Sequence, residues 1–125
     1  MTICDTNIII ELLKNQPGVV LELRNIGLPN LCISDITRAE LIFGARNKTD
    51  LAFILKGTKP LTHLPVHPPI SQLAVQLMEQ FPLSHRLSLP DALIAATALH
   101  HGFALYTLNR KDFRYIAGLR LHEPA

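Results

Sequence analysis

The sequence predicts an α/β fold: one domain, residues 1–125, with a mostly parallel sheet covered by helices on both faces. Short apolar runs suited to buried strands alternate with segments of helical periodicity. Clusters of turn formers, such as Asn15-Gln16-Pro17-Gly18 and Gly27-Leu28-Pro29-Asn30, separate them. The 125 residues suffice for a single substantial core, and 48% hydrophobic against 18% charged residues is a globular composition.

The elements follow in order. Thr2 to Cys4 reads as a short strand ending at Asp5, with Thr6 or Asn7 capping a helix from about Ile8 to Lys14. Val19 to Ile26 is a second helix and Leu31 to Ile33 a second strand. Ser34 or Asp35 caps a helix from Ile36 to about Arg46, and Leu51 to Lys56 is a further helical stretch. Thr62 to Val66 is a third strand that Pro65 confines to a sheet edge. After His67-Pro68-Pro69, the residues Ile70, Leu73, Leu77, Met78 and Phe81 share one face of an amphipathic helix. Pro90 suits the first turn of the next helix and Gly102 its end. Phe103 to Thr107 is a fourth strand, and Leu119 to Leu121 a last short one.

Several function classes are excluded or weakened by composition. No run reaches the length of a membrane span, and the N-terminus lacks the pattern of a signal peptide, so a soluble cytoplasmic protein is expected. Cys4 and Cys32 sit in strand-like runs without C-x-x-C spacing and read as buried reduced thiols. The six histidines form no zinc-binding pattern. Net charge is only +2, but its distribution matters more. If Asp5, Glu40, Asp91 and Asp112 were neutralised by a metal, twelve basic side chains would face six acidic ones, favouring an anionic partner.

Those four carboxylates are the informative residues. Open parallel sheets place their sites at the carboxyl ends of the strands, where Asp5 and the Thr107–Asp112 segment fall. Asp91 shares a helix face with Ile94, Ala95 and Ala98, and a carboxylate on an apolar face needs a partner. Its local reading is a helix cap, since Ser88 precedes it at capping-box spacing. Glu40 faces the same way as Ile36 and Phe43, and its spacing from Arg38 and Arg46 does not pair it with either on a helix. Three or four carboxylates in one place repel unless cations bind, and hard oxygen donors select Mg²⁺ or Mn²⁺. Such ions suit hydrolysis of a nucleic-acid backbone.

Four segments, in order along the chain, carry a resemblance. They are Asp5-Thr6-Asn7, Thr37-Arg38-Ala39-Glu40-Leu41-Ile42-Phe43-Gly44, Pro90-Asp91-Ala92-Leu93-Ile94-Ala95-Ala96-Thr97-Ala98, and Thr107-Leu108-Asn109-Arg110-Lys111-Asp112-Phe113. Together they resemble PIN-domain proteins, most of all the VapC-type toxins of type II toxin–antitoxin systems. The resemblance implies an α/β/α sandwich and a Mg²⁺- or Mn²⁺-dependent endoribonuclease whose toxic action on translation or growth is blocked by a cognate VapB-type antitoxin. It also implies a homodimer. The family's acidic quartet maps onto Asp5, Glu40, Asp91 and Asp112, and its supporting polar positions onto Thr6, Asn7, Ser34, Thr107 and Asn109. Asp5 and Asp91 would be direct metal ligands, and Glu40 would orient or deprotonate the attacking water. Asp112 would complete the shell or help hold a second ion. Arg38, Arg46, Arg110, Lys111 and Arg114 are candidates for binding the RNA backbone.

Two rival readings arise. A haloacid-dehalogenase-type phosphatase also begins with an aspartate after its first strand, but needs a second aspartate where this chain has Asn7. A PIN-like module that binds RNA or a protein without cleaving it is the other, and retention of all four carboxylates argues against it.

Overall fold

The computed structural model describes residues 1–81 and 83–125. Strands β1 (Thr2–Cys4), β2 (Leu31–Ser34), β3 (Thr62–Leu64) and β4 (Ala104–Tyr106) form a sheet in the order β3-β2-β1-β4, with every pairing parallel. Six helices are described: α1 (Thr6–Leu13), α2 (Pro17–Ile26), α3 (Asp35–Phe43), α4 (Lys48–Thr58), α5 (Pro68–Gln80) and α6 (Leu89–His101).

Alternation along the strands divides the interior into two cores. Ile3, Cys32 and Leu105 point to one face, where they pack with α5 and α6 and with Phe113 and Ile116. Cys4, Leu31, Ile33 and Tyr106 point to the other, where Ile8 and Ile9 of α1, Leu23 of α2, Leu41 of α3 and Ile54 of α4 cover them. The result is the three-layer α/β/α sandwich. Cys4 and Cys32 therefore lie on opposite faces, both free and buried. Burial pushes their thiols up to about 12 and about 11, respectively, so both stay protonated and unreactive.

The element ends differ from the sequence expectations for local reasons. Helix α1 starts at Thr6, not near Ile8, because Asp5 is the cap: its carboxylate accepts from the Thr6 backbone N–H. Helix α3 stops at Phe43, short of Arg46, where Gly44 closes it. Asn47 caps α4 by accepting from the Asp50 N–H at 2.8 Å, so the polar stretch expected to separate two helices begins the second. Strand β3 is an edge strand that ends before Pro65, which has no N–H to donate. The expected last strand is a single parallel bridge between Leu105 and Leu121.

Helix α6 has the two ends that its sequence requires. Ser88 accepts from the Asp91 N–H, and Pro90 occupies the first turn. At the other end Gly102 is left-handed (φ 69°, ψ 29°), and the Phe103 N–H bonds the Ala98 carbonyl at 3.0 Å while the Gly102 N–H bonds that of Leu99. This Schellman closure turns the chain directly into β4. Gly102→Ala is expected to destabilise the fold by about 1–2 kcal/mol, the cost of a left-handed non-glycine residue, measured by urea unfolding.

Candidate active site

The carboxyl ends of β1 and β4 lie side by side, because Cys4 pairs with Tyr106. Asp5 and Thr107 are the next residues of each strand. The Thr107 hydroxyl donates to Asp5 Oδ2 at 2.7 Å, and the Thr6 N–H donates to Oδ1 at 2.8 Å. The Asn109 N–H in turn donates to the Thr107 hydroxyl at 3.0 Å. Asp5 is only 5% exposed. Burial raises its carboxyl above the usual range, the two donors work the other way, and the charges of Glu40 and Asp112 raise it further.

Glu40 reaches this point from α3. It was expected on a buried face beside Phe43, but it is exposed, and Phe43 is 93% exposed. Helix α3 buries Thr37 and Leu41 instead, which turns Glu40 towards the sheet edge and leaves it partly in solvent. The Thr6 hydroxyl lies 2.7 Å from Glu40 Oε1 and 3.2 Å from the Thr37 hydroxyl. One hydroxyl proton cannot serve both, so the shorter contact takes it and Thr37 donates to Thr6. Thr37 is fully buried and was not among the residues expected at the site. Its spacing of three from Glu40, which puts both on one helix face, was the available signal.

Asp91 enters from the first turn of α6. Burial, then the charge of Asp5, raises its carboxyl to about 6; Asp112 and Glu40 add to this, and Ser88 opposes it. The capping side chain of α6 is that of Ser88, and Asp91 supplies the capped N–H. Asp112 ends a short 3₁₀ turn, Arg110–Asp112, and is exposed. Asn7 holds the incoming segment by accepting from the Leu108 N–H at 3.2 Å. Ser34 is fully buried at the end of β2, and its hydroxyl caps α3 by accepting from the Ile36 N–H.

The basic candidates separate into two groups. Arg38 pairs with Asp35 at 3.0 Å and Arg46 with Asp50 at 3.5 Å, each within its own helix or across a helix start. Arg110 donates to the His122 carbonyl and pairs with Glu123. Lys111 and Arg114 are exposed, with no ion pair among the described residues.

Beside Glu40 opens a groove of about 490 Å³ between α1, α3 and α4. Ile10, Leu13, Leu41, Phe53 and Ile54 give it apolar lining, and Thr6, Lys14, Glu40, Arg46 and Asp50 line it with polar groups.

Among the described residues, no three acidic, histidine or cysteine side chains form a ready-made cage for an ion. The donor set still fits Mg²⁺ or Mn²⁺. Mg²⁺ keeps several waters and needs only one or two protein carboxylates, and the charge of Asp5 acts on Asp91.

A parallel sheet with acidic residues gathered at the ends of its two neighbouring strands and on two flanking helices defines a nuclease-like α/β domain. The comparisons with known proteins agree. The PIN domain model matches residues 2–119. The tRNA(fMet)-specific endonuclease VapC of Shigella flexneri is 31% identical over 95% of this chain and 94% of its own. Ribonuclease VapC1 of Haemophilus influenzae strain R2866 is 34% identical over 93% of this chain and 92% of its own. The crystal structure of DNA-bound VapBC from Salmonella typhimurium superposes with a TM-score of 0.86 at 28% identity, covering 97% of this chain and 96% of that one. The chain belongs to the PIN-domain family, in its VapC branch. No helix among the described residues is long and apolar enough to cross a membrane.

The raised Asp91 carboxyl sets a pH dependence. Its folded value of about 6 lies above the ordinary 3.8, so its contribution to stability is fully present below pH 3.8 and is lost as pH rises through about 6. In chelator, melting temperature is expected to fall across that window, and Mg²⁺ or Mn²⁺ is expected to restore it most strongly above pH 6, where the carboxylate is charged. Asp91→Asn should flatten the pH profile and remove most of the metal-dependent rise, as followed by differential scanning fluorimetry.

Proposed function

We propose that the protein is a Mg²⁺- or Mn²⁺-dependent endoribonuclease, the toxin of a VapBC-type pair, acting on RNA needed for translation. The observation that carries this reading is the buried Asp5, held by Thr107 and Thr6 at the point where the charges of Glu40, Asp91 and Asp112 also act. Such an arrangement is unfavourable by itself and favourable around a cation. Asp5 and Asp91 would hold the ion, which supplies electrophilic polarisation of the phosphodiester. Asp112 would complete the ligand set.

The chain's own residues supply the rest. Glu40 is partly solvated and its Oε1 is fixed by the Thr6 hydroxyl, so the other oxygen is available to orient water and take a proton. Water adds to phosphorus, its proton passes to Glu40, and the bond from phosphorus to one ribose oxygen breaks. That oxygen leaves with a proton from solvent. Thr107 and Asn109 keep Asp5 oriented, and the exposed Lys111 and Arg114 would meet the backbone of the RNA.

The partner reading rests on the complexes formed by similar proteins. Related structures include a toxin–antitoxin complex from Klebsiella pneumoniae, at TM-score 0.82 and 28% identity. The groove between α1, α3 and α4 is the surface we assign to an antitoxin segment. It is apolar, open, and lined in part by Glu40, so an occupant would reach the acids. The active form would be a homodimer, as the resemblance implies.

Incubation of antitoxin-free protein with defined RNAs should give cleavage with Mg²⁺ or Mn²⁺ and none in chelator. Glu40→Gln is expected to lower kcat about 10²–10⁴-fold, the usual range for a general base, with little change in KM. Cleavage by Asp5→Asn at the wild-type rate would overturn the ligand assignment. Absence of cleavage over a broad RNA panel would leave a binding module. In co-expression with a cognate VapB-type antitoxin, Phe53→Asp should abolish co-purification while leaving the isolated protein folded, since Phe53 is 53% exposed.

A further inference from the structure

An aromatic stack lies beside the acids and is used by none of the steps above. The rings of His85 and Tyr115 are 3.8 Å apart between centroids, with planes 16° from parallel. Phe81 meets both edge-on, 5.4 Å from His85 and 4.8 Å from Tyr115. Phe81 and Tyr115 are half-buried against the core that α5 and α6 share. His85, in contrast, is exposed. The stack is therefore anchored at one end and open at the other.

The open ring is held in place. The Ser84 hydroxyl lies 2.9 Å from His85 Nδ1, which restrains rotation of the imidazole. Arg86 is left-handed at φ 49°, and the chain reverses there between exposed His85 and buried Leu87. The stack also stands close to the chemistry. Burial raises the Tyr115 phenol, and the charges of Asp112 and Asp91 raise it further, so the ring lies within electrostatic reach of both acids. Exposed Arg86, Lys111 and Arg114 come from the same two segments. An exposed, restrained π-face is the kind of surface on which bases of single-stranded nucleic acid stack.

We propose that the open face of His85, backed by Tyr115, is a stacking platform for an unpaired base of the RNA, adjacent to the phosphodiester held at the acids. This rests on the ribonuclease reading and assigns His85 and Tyr115 as the residues that position a base beside the cut. A base inside a duplex has no free face to offer.

Cleavage kinetics on one RNA sequence, single-stranded and in duplex, test this. His85→Ala is expected to raise KM for the single strand about 5- to 150-fold, the range for loss of one base–aromatic contact, with a smaller change in kcat. His85→Phe should restore KM, because a phenyl ring also offers a π-face. Unchanged KM in His85→Ala, a loss that His85→Phe does not rescue, or equal cleavage of duplex and single strand would each overturn the platform while leaving the nuclease assignment intact. If the wild type cleaves no RNA, both fall. A second measurement reads binding directly. The chain has no tryptophan, so His85→Trp places a single indole on the platform. Its fluorescence should be quenched on rapid mixing with single-stranded RNA and not with heparin, a polyanion without bases. Equal quenching by both, or none by RNA, would overturn the proposal.

Discussion

A single hydrogen bond, from the Thr107 hydroxyl to the Asp5 carboxylate, is the constraint around which the rest of the molecule is arranged. A carboxylate that is almost wholly buried is unfavourable unless its oxygens find donors. Here one donor comes from the turn that Asp5 itself begins, and the other from the strand beside it. The second exists only because β1 and β4 are parallel neighbours in register. The same pairing brings Asn109 and Asp112 to the sheet edge. Structure and chemistry share these contacts, so the site cannot be loosened without loosening the centre of the sheet.

Much of this was legible in the sequence. Short apolar runs and helical patterns located the strands and most helices, and the Pro90–Gly102 pair bounded α6 to within a residue. The position of Asp5 was legible, because it directly follows a strand of a parallel sheet. The failures have physical causes. Glu40 was placed on a buried face through Phe43, yet Phe43 is a surface residue and α3 packs through Thr37 and Leu41. The cap of α1 was placed at Thr6 or Asn7, both good cap types, with Asp5 read as beginning the turn and helping to cap; the cap is Asp5 itself. Arg110 was expected to face RNA and instead ties the segment that contains His122 and Glu123. The stack of Phe81, His85 and Tyr115 joins two loops, where no periodicity marks which side chains will meet.

The two helical layers contribute differently to the site. Helices α1, α3 and α4 bring Glu40 and, next to it, the apolar groove. The other layer brings Asp91 on α6, with the aromatic stack beyond it. The acids thus stand on the boundary between two unlike surfaces, one suited to apolar side chains and one to a ring and a charged backbone. On the function proposed above, an inhibitory protein segment and a nucleic-acid strand would approach the carboxylates from different sides.

The order of the strands also bears on synthesis. The central strand, β1, is made first, but one of its two neighbours is β4, and Asp5 lacks its second donor until Thr107 is in place. Contacts so distant in sequence form late and slowly. A growing chain on the ribosome thus carries the first carboxylate of the site for most of its synthesis with no site around it. Assembly of the acidic cluster waits for nearly the whole domain to emerge.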